Sequence, residues 1–147
     1  MKFLFISVGK NDDANIADAI AEYTARISRH LKTEWKIIPS SDKETEAERI
    51  LKSLKPEDFL VALDEKGKEM STRELSQFLE KRMITGGGTV AFAIGGAYGL
   101  DDSILKRANL VWSLSKLTLP HQLARLLLAE SVYRAMSVIK HEPYHHA

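Results

Sequence analysis

"WSLSKLTLPHQLARLLLAE" occupies residues 112–130, and its first half is unlike an ordinary connection. Between Trp112 and Pro120 run Leu114, Ser115, Lys116, Leu117, Thr118 and Leu119: apolar residues with hydroxyls interleaved and no glycine. Connecting loops normally lie at the surface and are polar. An apolar loop is expected to be buried under other chain, and its backbone N–H and C=O groups then need partners. A ligand with an aromatic ring bearing donors and acceptors can supply some of them. Pro120 suits the first turn of a helix, predicted over about residues 120–139. That helix is apolar nearly all round, broken mainly by Arg125, Glu130 and Arg134. One sheet face needs only one apolar stripe, so a second face is expected to meet a partner subunit. The alternative is a helix central in the monomer.

Upstream, short apolar runs alternate with helical patterns. "KFLFISV" (residues 2–8), closed by Gly9, reads as a buried strand. Over residues 15–31, Ile16, Ala19, Ile20, Tyr23 and Ile27 recur at helical spacing. "EWKIIP" is a second strand, and "ETEAERILKSL" a polar helix with a narrow stripe of Ala47, Ile50, Leu51 and Leu54. "DFLVALD" is a third strand, ending at Asp64. Ser71 and Glu74 are spaced as a capping box for the next helix, whose trailing glycines suit a left-handed cap. "TVAFAIG" is a fourth strand and "NLVWSLS" a fifth. Strands apolar on both faces, alternating with helices, predict an α/β fold: a mostly parallel sheet with helices on both faces. One domain is expected to fill residues 1–147, without repeats or linkers.

Composition narrows the functional classes. The chain is 44% hydrophobic and 28% charged, with 21 basic and 20 acidic side chains and a net charge of +1. A monomer so balanced has no uniform field for gripping nucleic acid, so an RNA contact must rest on a local patch or an assembly, and DNA is not an expected partner. The absence of cysteine excludes disulfides, thiol catalysis and thiolate metal sites. "FLFISV" is too short for a signal-peptide core, and no run approaches membrane-spanning length. A cytoplasmic protein is expected.

Residues 91–102, "AFAIGGAYGLDD", invite a phosphate-binding reading that their spacing defeats. A dinucleotide fingerprint needs G-x-G-x-x-G after the first strand, and a P-loop ends in G-K-[ST]. This loop follows the fourth strand and ends Leu100-Asp101-Asp102. Either acid can cap the short helix "SILKRAN". The loop suits a neutral or cationic ligand better than a triphosphate; a plain glycine turn is the alternative.

With "IGGAYGL", "WSLSKLTLPHQLARLLLAESVYRA" and a terminal "HEPYHH", and with "LDEKGKEMS" after the third strand, the whole chain resembles one family. It is the SPOUT-class ribosomal RNA large subunit methyltransferase H family, which methylates N3 of a pseudouridine in bacterial 23S rRNA. The resemblance implies a C-terminal trefoil knot, an obligate homodimer and S-adenosyl-L-methionine as cofactor. It assigns cofactor contacts to Leu63, to Gly95 and to Leu114, Ser115, Lys116, Leu117, Thr118 and Leu119. It implies an assembled ribosome as substrate. A ribosome-binding factor that keeps the fold without transferring methyl groups is the competing class; the missing phosphate signatures count against a nucleotide-binding module.

Methylating N3 of a uracil-type ring requires loss of its proton, and a histidine is well tuned to accept it. His121, His141, His145 and His146 are candidates. His121 opens the last helix, where the dipole disfavours a positive charge; its other reading is a structural histidine bonding loop carbonyls. The resemblance places the tail triplet Tyr144-His145-His146 by the cofactor pocket, where Tyr144 can stack on a base. The family often ends this triplet in arginine or lysine, and a histidine contacts phosphate only when protonated. As a chain end, the tail is expected to add little to folding. His141, Glu142 and His145 have metal-like spacing, but Pro143 breaks the helix they would need. Arg26, Arg29, His30 and Lys32 near the end of the first helix, and Lys10 after the first strand, read either as solvated cations or as RNA contacts. Asp64 and Glu65 can reach a ribose hydroxyl.

Overall fold

Strands β1 (Lys2–Val8), β2 (Thr33–Ile38), β3 (Phe59–Glu69), β4 (Thr89–Ile94) and β5 (Leu110–Ser113) alternate with helices α1 (Ala14–Ser28), α2 (Lys43–Lys52), α3 (Thr72–Thr85), α4 (Asp102–Arg107) and α5 (His121–Ile139). The computed structural model describes residues 1–10, 13–86 and 88–145. The strands form one parallel sheet in the order β2-β1-β4-β3-β5. Each face of the sheet has its own core. Phe3, Phe5, Phe92 and Trp112 pack with Ile27, Leu75, Leu79, Leu128 and Val132 from α1, α3 and α5. Ile6, Val8, Leu60, Ala91 and Ala93 pack with Ala47, Ile50 and Ile104 from α2 and α4. Strands covered on both faces lose the polar alternation of an exposed sheet, which is why they read as continuous apolar runs.

The helix starts follow local chemistry. Asp13, Asp42 and Asp101 each accept backbone N–H bonds as N-caps, and Ser71 with Glu74 completes the capping box. Of the glycines after α3, Gly86 is extended (φ 164) and Gly88 left-handed (φ 95). One local expectation is corrected. The third strand does not stop at Asp64: it bulges over residues 64–67 and rejoins β5, so that Leu63 and Lys68 both register with Trp112. Gly67 permits this return, because a Cβ there would lie 2.7 Å from the Val111 carbonyl oxygen.

The last helix is absorbed largely within the chain's own core. Ala124, Leu128, Val132, Ala135 and Met136 are buried against the sheet, α1 and α3. Leu123 stays exposed, and Leu126 and Leu127 half-buried. The helix ends in a Schellman motif: the His141 and Glu142 N–H groups donate to the Val138 and Ser137 carbonyls, with His141 at φ 57.

Arg125 is the exception on the buried face of α5. It has no solvent exposure. Its guanidinium donates to the Ser7 hydroxyl and to the carbonyls of Val8 (2.7 Å) and Gly9 (2.6 Å), where β1 ends. Arg125→Met keeps most of the stem volume but strands these acceptors. Each buried acceptor left unmet costs about 1–3 kcal/mol, so urea unfolding should show a loss of about 2–4 kcal/mol at unchanged m-value.

Candidate active site

At the carboxyl ends of β3, β4 and β5 three loops surround a cavity of about 590 Å³. Leu63 comes from β3, Gly95 from the glycine loop, and Leu114, Ser115, Leu117, Thr118 and Leu119 from the loop after β5; all seven line it. Lys116 does not: it is exposed, with Nζ 3.5 Å from Glu69 Oε1. The bulge in β3 adds Asp64, Glu65 and Lys66 to the wall, and Lys43 and Asp102 complete the charged rim. Sequence reading took Asp64 as a strand end and so missed the bulge; its signal was Gly67, which shows its purpose only once β5 is beside it.

The loop after β5 is less covered than its composition predicted. Leu114 and Leu119 at its ends pack on the core, but Lys116, Leu117 and Thr118 are exposed. A local turn satisfies part of its backbone: the Ser113 hydroxyl donates to the Ser115 carbonyl, and the Leu117 N–H donates to the Ser115 hydroxyl, both at 2.9 Å. The hydroxyls interleaved among the leucines therefore serve as internal hydrogen-bond partners.

In the glycine loop, the Gly99 N–H donates to the Gly96 carbonyl at 3.0 Å, and Gly99 sits at φ 76. A Cβ on Gly95 would lie 2.5 Å from the Gly99 carbonyl carbon. Gly95 is thus required for the loop to close on itself. Beneath Gly96 lies the buried carboxylate of Glu46, which accepts the Ser41 N–H at 2.8 Å. Asp101 is occupied as the cap of α4; the Ser103 hydroxyl and N–H beside it hold its carboxyl below the usual carboxylate range.

The candidate catalytic groups do not converge on this cavity within the chain. His121 is half-buried and lies between two lining residues, Leu119 and Ala124, but is not itself in the wall. Tyr144 is in a terminal 3₁₀ turn (Pro143–His145) and packs on the far half of α5. Its ring lies 4.7 Å from Tyr133, its hydroxyl 2.9 Å from that of Tyr23, and the Arg134 guanidinium sits 5.0 Å from the ring centre. Tyr133 follows Ala124 by nine residues, roughly 14 Å along a helix axis. Arg134 also donates to the His145 carbonyl at 2.8 Å, and His30 Nε2 lies 2.7 Å from Glu142 Oε1. These contacts dock the tail more firmly than its terminal position suggested. His146 lies outside the described residues. Sequence reading missed this cluster because Tyr23 and Tyr144 share no local pattern. Of the cationic group on the first helix, Arg26 pairs with Glu22, and Lys32 pairs with Glu34; Arg29 and Lys10 are exposed.

An enclosure of three loops at the carboxyl edge of a parallel sheet, without phosphate-binding chemistry, defines a class, and the comparisons agree. The chain belongs to the SPOUT methyltransferase family: residues 1–145 match the family model described as "Predicted SPOUT methyltransferase". It is 42% identical over 156 residues to the ribosomal RNA large subunit methyltransferase H of Parabacteroides distasonis, with 99% of each chain covered. The protein of the same name from Clostridium botulinum (strain 657) is 40% identical over 158 residues, again with 99% of each covered. Among solved structures, a probable methyltransferase from Bordetella pertussis superposes with a TM-score of 0.62 at 15% identity, over 92% of this chain and 96% of that one. The SpoU methyltransferase AviRb from Streptomyces viridochromogenes, solved with AdoMet, gives 0.51 at 13% identity, over 92% of this chain and 58% of that one.

Two outcomes follow from the geometry. Gly95→Val should force the 96–99 turn open; overpacking of this kind costs about 1–3 kcal/mol, a fall in Tm of roughly 3–10 °C. Gly86→Ala, with open space around it, is the control and should leave Tm unchanged. The second outcome concerns alkaline pH. Burial, helped by the Tyr23 hydroxyl and Glu130, pushes the Tyr144 phenol up from 10.0 to about 12. A raised phenol favours the neutral form in the folded state, so its stabilisation is whole below pH 10 and is lost as pH rises toward 12. Ultraviolet titration should show one tyrosine ionising late, and Tyr144→Phe should remove that late step.

Proposed function

We propose that this protein is an S-adenosylmethionine-dependent methyltransferase that methylates N3 of a pseudouridine in large-subunit ribosomal RNA, on the assembled ribosome in the cytoplasm. It acts as a single domain and as a homodimer, with the last segment knotted. The observation that carries the reading is the three-loop cavity, whose wall includes Leu63, Gly95 and most of residues 114–119, in a chain about 40% identical over its whole length to enzymes named for this class of modification. The wall suits the cofactor. Leucines from two loops offer apolar contact to an adenine ring. The rim carries three carboxylates, Asp64, Glu65 and Asp102, against the ammonium groups of Lys43 and Lys66, a balance that favours a sulfonium over a polyphosphate.

When bound, the cofactor supplies an electrophilic methyl group. The chain's own work is to seat it, to hold the base nitrogen in line, and to take the N3 proton. His121 is the nearest candidate base on the same protomer. Tyr144 and His145 lie some turns of helix away from their own cavity, so their part in the reaction is exercised on the cavity of the partner subunit. The incompletely covered Leu123, Leu126 and Leu127 of α5 provide the apolar face for that association.

Methyl transfer to ribosomes lacking the modification tests the reading. Truncation after Glu142 should reduce single-turnover transfer at least tenfold while changing cofactor affinity little. Mixed dimers of truncated and Gly95→Val subunits should recover activity that neither homodimer shows. Full activity in the truncated protein would remove the tail from the mechanism and leave His121 as the base.

A further inference from the structure

Resting on the methyltransferase reading, we infer that Tyr98, with Leu117, receives the target base and holds it over the cofactor cavity. Among the described residues five large hydrophobic side chains are left exposed: Ile37, Ile84, Tyr98, Leu117 and Leu123. Two of them, Tyr98 at 75% and Leu117 at 74% exposure, line the same cavity. They come from different loops. Each stands on fixed backbone, Tyr98 on the turn closed by the Gly99 to Gly96 hydrogen bond and Leu117 on the turn closed by Ser115. A solvated apolar side chain on a hydrogen-bonded turn suits a flat partner, since the turn limits the freedom lost on contact. The residues flanking Tyr98, Ala97 and Gly99, are small.

A base drawn out of its stack needs a new surface for its π-face. Tyr144, the ring first suited to that task by its sequence context, is committed to Tyr23, Tyr133 and Arg134. The Tyr98 hydroxyl bonds to no described residue, and its ring packs on none of the other described aromatic rings. The glycine loop therefore has two tasks. Its backbone closes the cavity, and its one aromatic side chain supplies the platform for the nucleobase at the mouth.

Ribosomes lacking the modification, labelled methyl donor and three proteins test this: wild type, Tyr98→Ala and Tyr98→Phe. Loss of one base–aromatic stack corresponds to roughly a 5- to 150-fold change. Tyr98→Ala should lose that much kcat/KM toward ribosomes, and Tyr98→Phe should restore most of it because the ring is kept. Affinity for S-adenosylmethionine by calorimetry, and dimer mass by sedimentation, should match wild type in every variant. Equal kcat/KM for Tyr98→Ala and wild type would overturn the proposal alone. A parallel loss of cofactor affinity would make Tyr98 a cover for the cofactor, and a change of mass would make it a subunit contact; both overturn it. No transfer by wild type would overturn the functional reading, and this one with it.

Discussion

A fully buried guanidinium ties the end of the chain to its beginning. Arg125 reaches across from α5 to the last residues of β1 and satisfies groups that the sheet cannot, since the carbonyls of Val8 and Gly9 lie where the strand gives way to loop. An aliphatic side chain there would pack but would leave them unmet, and an ammonium would offer less of the fixed fork that meets several acceptors at once. Its neighbour Ala124 lines the cavity, so one turn of α5 carries both this bond and part of the cavity wall.

The cavity is lined by leucines and glycines together with five charged side chains, Lys43, Asp64, Glu65, Lys66 and Asp102. Its walls are held by bonds within each loop: Ser115 within the 113–117 turn, Gly96 to Gly99, and Asp101 capping α4. The candidate catalytic side chains His121, Tyr144 and His145 are not among its lining residues. Such a division suits a reaction in which the cofactor brings the reactive group and the protein contributes alignment. It also makes the site tolerant of side-chain change at many positions and intolerant at Gly95, where the chain meets itself.

Much of the fold was legible because it rests on local rules. Apolar runs marked four strands and alternation marked β2, Ser71 with Glu74 marked a capping box, and Pro120 marked the start of α5 to within a residue. What escaped reading depends on distant partners. The return of β3 after its bulge needs β5 beside Gly67. Arg125 looked like a polar break in an apolar helix because its acceptors lie at the other end of the chain. The resemblance put the tail's tyrosine by the cofactor pocket, whereas within the chain Tyr23 and Tyr133 claim that ring. The resemblance named the cofactor segments, and all but Lys116 came together in one wall.

The first strand sits in the middle of the sheet, and this has a consequence for the order of assembly. Lys2 to Ser7 come long before their partner in the chain, since one side of β1 is paired only by β4, beginning at Thr89. Ser7 finds Arg125 only across a separation of 118 residues. During synthesis β1 therefore emerges with an apolar, unpaired edge and no permanent neighbour on that side for most of the chain's length. Pairings so distant in sequence are slow to form, and the exposed edge is open to association with other chains meanwhile. Folding of this protein is thus expected to be late and all at once, with early chains depending on protection until the last helix is free of the ribosome.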